Sequence, residues 1–409
     1  MLISAIGFSQ SAEATSSLVA DIKSGFVIEA ENATEPLPPA SLTKLMTLYL
    51  TFGALEKGLI TMDDKLPVSE HAAAQPRSKL YVRAGDTITV REAILALIIK
   101  SANDVAVVVA EALSPSETEF AALMTRTARG LGLHNTVFKN ASGLHIEGQT
   151  TTARDMAILT MALIEHYPQY YSLFSEKSFK YKDKTYQSHN LVLREYEGAE
   201  GLKTGFVSAV GYNIISTASQ DDTRLVSVVI GEDSQTRRDL HAMRLLDKGF
   251  RQVAIQRQAE ASGKLKSAFN PLNQRAFIAQ PPYQAFMPVM RAGWRLSQKR
   301  LQQLPKQQTL VKQVAKAPQV LDTSVEQGDS WGIQVGAFEQ HEKATQIAQK
   351  AIRTLGCDDK TIQTPKTKNH FFRSRIVGFS DKNEAFKACQ QLKNNRNWQC
   401  FLISPKKVK

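Results

Sequence analysis

The stretch Pro38-Pro39-Ala40-Ser41-Leu42-Thr43-Lys44-Leu45-Met46-Thr47 most narrows what this chain can become. The two prolines hold the approach extended and stop whatever element precedes them. Leu42, Leu45, Met46 and Leu50 then recur at helical spacing, which predicts a helix from Ser41 to Gly53. Ser41 and Lys44, three residues apart, fall on one face of that helix. A serine hydroxyl is a weak nucleophile and needs a base within hydrogen-bond reach. A lysine can be that base only if burial or a second cation lowers its pKa. Leu42, Leu45 and Met46 offer the burial.

By itself S-x-x-K arises by chance roughly once or twice in a chain of this length. Here Ser101-Ala102-Asn103 follows beside an apolar helix, and Lys203-Thr204-Gly205 opens an apolar strand. S-x-x-K, S-x-N and K-T-G in that order are the signature set of penicillin-binding proteins and serine β-lactamases. From about Ser16 to Phe250 the chain resembles the low-molecular-mass D-alanyl-D-alanine carboxypeptidases. Besides the Pro38–Thr47 stretch, the resemblance is carried by Thr151-Thr152-Ala153-Arg154-Asp155-Met156 and Gly201-Leu202-Lys203-Thr204-Gly205.

That resemblance implies roles. Ser41 attacks the carbonyl of the penultimate D-Ala, and Lys44 takes its proton, its own charge disfavoured by Lys203. Ser101 relays a proton to the leaving amine, and Asn103 orients Lys44 and the substrate amide. Lys203 and Thr204 receive the terminal carboxylate, and the backbone N–H groups of Ser41 and Phe206 form the oxyanion hole. Gly205 lets substrate lie along the strand edge. No metal or organic cofactor is needed. The family often has a basic residue after an Asn before K-T-G. Here Leu191 follows Asn190, so any further carboxylate-binding cation is unassigned. A class A-like β-lactamase would add a carboxylate for deacylation, and no convincing motif supplies one. A non-catalytic wall-binding protein would have lost the triad, which is intact.

Charge divides the chain. Of a net +12, residues 1–255 contribute −4, 256–330 contribute +7 and 331–409 contribute +9. A basic tail on a mildly acidic catalytic half suggests an anionic or polymeric surface as partner, and no recognisable nucleic-acid fold signature appears in the tail. The expected fold class is α/β: an antiparallel sheet flanked by helices plus an all-helical subdomain, the serine β-lactamase/penicillin-binding-protein fold, then a linker and a small α+β domain. Residues 1–14, apolar and ending near Ala12-Glu13-Ala14, read as the remnant of a secretory signal. Residues 15–255 read as the catalytic domain. Residues 256–329, rich in Gln, Lys, Arg, Ala and Pro, read as a mostly disordered basic linker with a short helix around Arg291–Leu304.

Residues 330–409 repeat a strand-Gly-helix unit. Ile333–Phe338 leads into Ala344, Ile347, Ala348 and Ala351, and Arg375–Ser380 into Ala385, Ala388, Cys389 and Leu392. A strand over Trp398–Ile403 closes the set. This tail resembles a SPOR domain, which implies binding to peptidoglycan. Expected partners are peptidoglycan stem peptides and glycan strands, with β-lactam antibiotics as covalent inhibitors, and neither nucleic acid nor a transmembrane anchor. The expected location is the periplasm or cell envelope, enriched at the division septum. Cys357, Cys389 and Cys400, all in this tail, allow at most one disulfide, and small buried hydrophobes is the simpler reading.

Overall fold

The computed structural model describes residues 15–262, 281–304 and 330–404, the last span without 339, 358, 366–371 and 395–399. Residues 1–14, read above as a signal remnant, and most of the segment read as linker, 263–280 and 305–329, lie outside the described residues. The chain divides after residue 306 into two compact units.

The first unit opens on a hairpin of β1 (Ser16–Asp21) and β2 (Val27–Glu31). Its turn is tied by Ser24 N donating to Asp21 Oδ1 at 2.7 Å. The sheet is completed by β3 (Ala199–Val207), β4 (Gly211–Gln220) and β5 (Thr223–Glu232), in antiparallel order β2-β1-β5-β4-β3. Strand alternation gives the sheet two apolar faces. Leu18, Ala20, Ile215, Val226, Val228 and Ile230 face the main helical core. Val19, Ile214, Ala218, Leu225 and Val229 pack against Ala242, Leu245 and Leu246 of the closing helix.

The helical part holds α1 (Lys44–Glu56), α2 (Asn103–Leu113), α3 (Glu117–Gly130) and α4 (Ala153–His166). A 3-10 turn, Ala40–Thr43, leads into α1, which is buried from Lys44 to Ala54. Thr152 caps α4 by accepting Asp155 N at 3.0 Å, a structural role for that motif. The closing helix α5 (Gln235–Ala261) runs past residue 255, where the catalytic domain was expected to end. A small hairpin, Ser178–Tyr181 with Lys184–Gln187, was not expected.

The largest difference lies in the segment read as linker. Tyr283–Gln303 is a helix, α6, and it belongs to the first unit. Phe286, Met287 and Met290 are buried in the main core. Phe286 lies against Gly53 of α1, where a Cβ would stand 3.0 Å from its ring. Gly293 meets the end of α2 so closely that a Cβ would stand 2.2 Å from Ser114 N. Arg300 then donates to Glu111 O at 3.3 Å and Pro115 O at 3.4 Å, meeting carbonyls at that helix end. A basic, Gln-rich composition masked three apolar anchors and one close-approach glycine.

The second unit runs β6 (Trp331–Phe338), α7 (His341–Leu355), β7 (Thr361–Gln363), β8 (Phe372–Phe379), α8 (Lys382–Asn394) and β9 (Phe401–Ile403). The antiparallel sheet has order β7-β8-β6-β9, a βαββαβ arrangement. Ile333, Val335, Ile376 and Phe379 pack against Ala348, Ala351, Ile352 and Leu392. β7 was not expected. A disulfide joins Cys389 of α8 to Cys400 just before β9, so these two cysteines are a covalent staple rather than separate small hydrophobes. Among the described residues no helix is long and apolar enough to cross a membrane.

Candidate active site

The nucleophile candidate sits at a strained entry to α1. Ala40 has φ +48°, a left-handed conformation that costs a residue with a Cβ. Its surroundings enforce it. A Cβ on Gly143 would stand 1.7 Å from Ala40 O, so only glycine fits there. A Cβ on Gly205 would lie 3.2 Å from both Ala40 Cβ and Ser41 N, so β3 passes directly alongside the Ser41 backbone. Asn213 of β4 fastens the approach by donating to Pro38 O and Pro39 O at 3.4 Å.

Lys44 is fully buried and surrounded by three acceptors. Its Nζ donates to Asn103 Oδ1 at 2.8 Å and to Ser142 O at 2.6 Å, and lies 3.1 Å from Ser41 Oγ. A neutral amine has two N–H donors and one lone pair. Asn103 and Ser142 can take the two donors, which leaves the lone pair for the Ser41 hydroxyl proton. Burial first, then the charge of Lys203, holds the Lys44 amine well below the usual lysine range. Lys203 is itself buried, donates to Thr204 O at 2.8 Å, and is brought down to about 7 by burial and by Arg238.

Ser101 and Asn103 stand where a single helical turn changes register. A π turn over Ala96–Lys100 ends at Ser101, whose φ is +57°. Neither residue caps α2. The cap is Ala102, without a side-chain bond. Asn103 is instead gripped by the preceding loop: its N–H donates to Ser78 O at 2.7 Å and Nδ2 to Pro76 O at 3.2 Å. Next to it, the buried Asp104 carboxylate accepts Leu80 N, Tyr81 N and Val82 N at 2.9, 2.7 and 3.2 Å, fixing that loop to α2.

Ser41, Ser101, Asn103, Thr204, Gly205 and Phe206 line one cleft of about 500 Å³, with Lys44 and Lys203 buried beneath it. The Phe206 side chain is half exposed against Tyr212, with ring centroids 4.5 Å apart. All eight residues singled out from sequence therefore converge. Sequence reasoning missed Ser142, whose carbonyl holds Lys44, because a backbone acceptor leaves no trace in residue type. It also missed Arg238, which lines the cleft from α5 while its Nε and Nη2 bond Asp239 Oδ1 at 2.9 and 2.6 Å. A buried-side arginine in the first turn of the helix after the sheet was the available signal.

Residues 5–234 match the D-alanyl-D-alanine carboxypeptidase family, Peptidase_S11. The chain belongs to that family. Residues 327–404 match the SPOR domain, in agreement with the reading of the tail. Among curated relatives of the carboxypeptidase family, a D-alanyl-D-alanine carboxypeptidase of Bacillus subtilis is 36% identical over 244 residues, 59% of this chain and 63% of that protein. This chain thus spans less than two thirds of that relative's length. Penicillin-binding protein 6B of Escherichia coli superposes with TM-score 0.55 at 34% identity, covering 57% of this chain and 76% of that one. Penicillin-binding protein D2 of Listeria monocytogenes in its ampicillin-bound form superposes with TM-score 0.51 at 30% identity, covering 57% and 96%. The carboxypeptidase-family fold expected from the motifs is the fold observed.

Proposed function

We propose that this protein is a serine-type D-alanyl-D-alanine carboxypeptidase that removes the terminal D-Ala of peptidoglycan stem pentapeptides through a Ser41 acyl-enzyme. The observation that carries this reading is the buried Lys44 amine, held by Asn103 and Ser142 with its third direction toward Ser41. Lys44 takes the Ser41 proton as Oγ attacks the penultimate carbonyl, an ester forms and the peptide bond breaks. The proton passes through Ser101 to the departing D-Ala amine. Water then attacks the ester, Lys44 again takes the proton, and Ser41 is regenerated. The N–H groups of Ser41 and Phe206 stabilise the oxyanion.

Thr204, Lys203 and Arg238 receive the terminal carboxylate. Arg238 supplies the cation that the sequence left unassigned, with guanidinium nitrogen to spare after its bonds to Asp239. Among the described residues that line the cleft none is acidic, which disfavours the class A-like β-lactamase reading and its deacylating carboxylate. β-Lactams acylate Ser41 in this reading, supported by the likeness to the ampicillin-bound Listeria protein. The SPOR unit holds the enzyme on glycan strands in the cell envelope and gathers it at the division septum. A diacyl-D-Ala-D-Ala peptide should release D-Ala with the wild-type protein and not with Ser41→Ala or Lys44→Arg. Lys44→Arg keeps the charge but cannot serve as a neutral base. Release that persists in either variant rules this mechanism out.

A further inference from the structure

The carbonyl on which Lys44 depends belongs to a short segment held by side chains. Residues 139–144, between α3 and α4, form neither helix nor strand, yet Ala141, Ser142 and Gly143 are buried. Ala141 N donates to Glu117 Oε1 at 3.1 Å, and Ala141 O accepts Thr47 Oγ1 at 2.8 Å. Asn140 makes the next bonds. Its Oδ1 accepts Ser142 N at 3.2 Å and Gly143 N at 2.7 Å, and its Nδ2 donates to Leu144 O at 2.8 Å. A short amide side chain here ties down the backbone that follows it, as in an Asx turn.

The bond to Gly143 N decides most. Ser142 C=O and Gly143 N–H belong to one peptide unit, planar and trans, so they point in opposite directions. Asn140 Oδ1 grips the N–H end at 2.7 Å, and Lys44 Nζ meets the C=O end at 2.6 Å. Fixing the first end aims the second. Gly143 has φ +83°, and glycine tolerates the rotations that turn such a unit over. Turned over, the unit offers Lys44 an N–H in place of a carbonyl. The amine then loses an acceptor for one of its own hydrogens and meets a donor that competes for its lone pair. Ser41 needs that lone pair.

We propose that Asn140 is a positioning residue for the reaction: it holds the Ser142–Gly143 peptide in the one orientation that leaves the Lys44 lone pair facing Ser41. Asn140 does not line the cleft, so it acts through this peptide rather than on substrate. The proposal rests on the Ser41–Lys44 reading above. Gln149 provides a control within the same loop. Its Oε1 accepts Lys139 N and Asn140 N at 3.0 and 3.3 Å, and its Nε2 donates to Leu144 O at 3.0 Å. Gln149 therefore braces the loop without touching the Ser142–Gly143 peptide.

The test mixes the full chain with excess penicillin and follows adduct formation by intact-protein mass spectrometry. Its dependence on penicillin concentration separates the limiting acylation rate from the dissociation constant of the complex that precedes it. Asn140→Ala should lower the limiting rate about tenfold, the scale of one lost hydrogen bond, and leave the dissociation constant unchanged. Asn140→Ser keeps a neutral but weaker acceptor and should lose only about threefold. Gln149→Ala should acylate at close to the wild-type rate, whatever it costs in Tm. A wild-type rate in Asn140→Ala, or an equal slowing in Gln149→Ala, overturns the proposal and leaves the Ser41–Lys44 reading standing. So does a change confined to the dissociation constant. Should Asn140→Ala fail to fold, Asn140→Ser decides, and a wild-type rate there overturns the proposal. If wild-type Ser41 is not acylated, the reading and the proposal fall together.

Discussion

Gly293→Ala in α6 sets two local rules against each other. On an isolated helix the change should help, because alanine in a helix interior is favoured over glycine by about 1 kcal/mol. In this fold the new Cβ would stand 2.2 Å from Ser114 N and 2.4 Å from Leu113 C and Ser114 Cα. These are backbone atoms at the end of α2, so no side-chain rotation relieves the clash. The helices must separate by about 1 Å to restore van der Waals distance. That loosens Met290 and Phe286, both fully buried. A clash with backbone atoms this close belongs to the upper part of the overpacking range, about 2–3 kcal/mol, so the net expectation is a loss of about 1–2 kcal/mol after the helix gain of about 1 kcal/mol is subtracted. For a unit of this size that is a fall in Tm of about 3–6 °C. Differential scanning calorimetry of the full chain should resolve the two units as separate transitions. Only the transition of the first unit should move, and downward. A Tm equal to or above wild type would mean that α6 does not dock on α2 as described.

Three other expectations follow from the same geometry. In the proposed mechanism carboxylate binding needs Lys203 protonated, and burial and Arg238 bring Lys203 down to about 7. kcat/KM for D-Ala release should therefore decline as pH rises through about 7 and, because Lys44 must be neutral, also decline toward acid pH. Lys203→Arg, which stays charged, should remove the alkaline decline, and a decline unchanged in that variant would assign it to another group. The Cys389–Cys400 bond closes a loop with a sequence separation of 11. Reduction should cost the second unit about 3 kcal/mol on the chain-entropy account, seen as a lower melting transition for that unit alone. An exported fluorescent fusion of residues 330–409 should gather at the division site and bind glycan stripped of stem peptides at moderate salt. Uniform peripheral fluorescence, with binding that vanishes as salt rises, would leave only charge attraction.

What could be read from residue order was whatever depends on local pattern. The Pro38-Pro39 approach, the apolar spacing after Ser41 and the tandem strand-Gly-helix units each announce themselves within about ten residues. Ser41, Lys44, Asn103 and Lys203 could be paired before any coordinates because their motifs come as an ordered set. Hidden were the groups that act through backbone or through distant approach. Ser142 contributes a carbonyl, and Gly143 contributes the absence of a Cβ against Ala40 O. Asp104 anchors a loop more than twenty residues earlier through three N–H groups. α6 was obscured because Phe286, Met287 and Met290 are few among basic and Gln residues, and only the surfaces of α1 and α2 make them a core. The disulfide depends on where α8 and β9 end, which spacing alone does not fix.

The central claim is that Ser41 is the acylated residue and that Lys44 activates it. Intact-protein mass spectrometry after incubation with penicillin, followed by peptide mapping, tests it most directly. The account predicts one penicillin adduct per chain, located on the peptide that contains Ser41. The adduct should be absent from Ser41→Ala and strongly slowed in Lys44→Arg. An adduct that persists in Ser41→Ala, or maps to another residue, would contradict it.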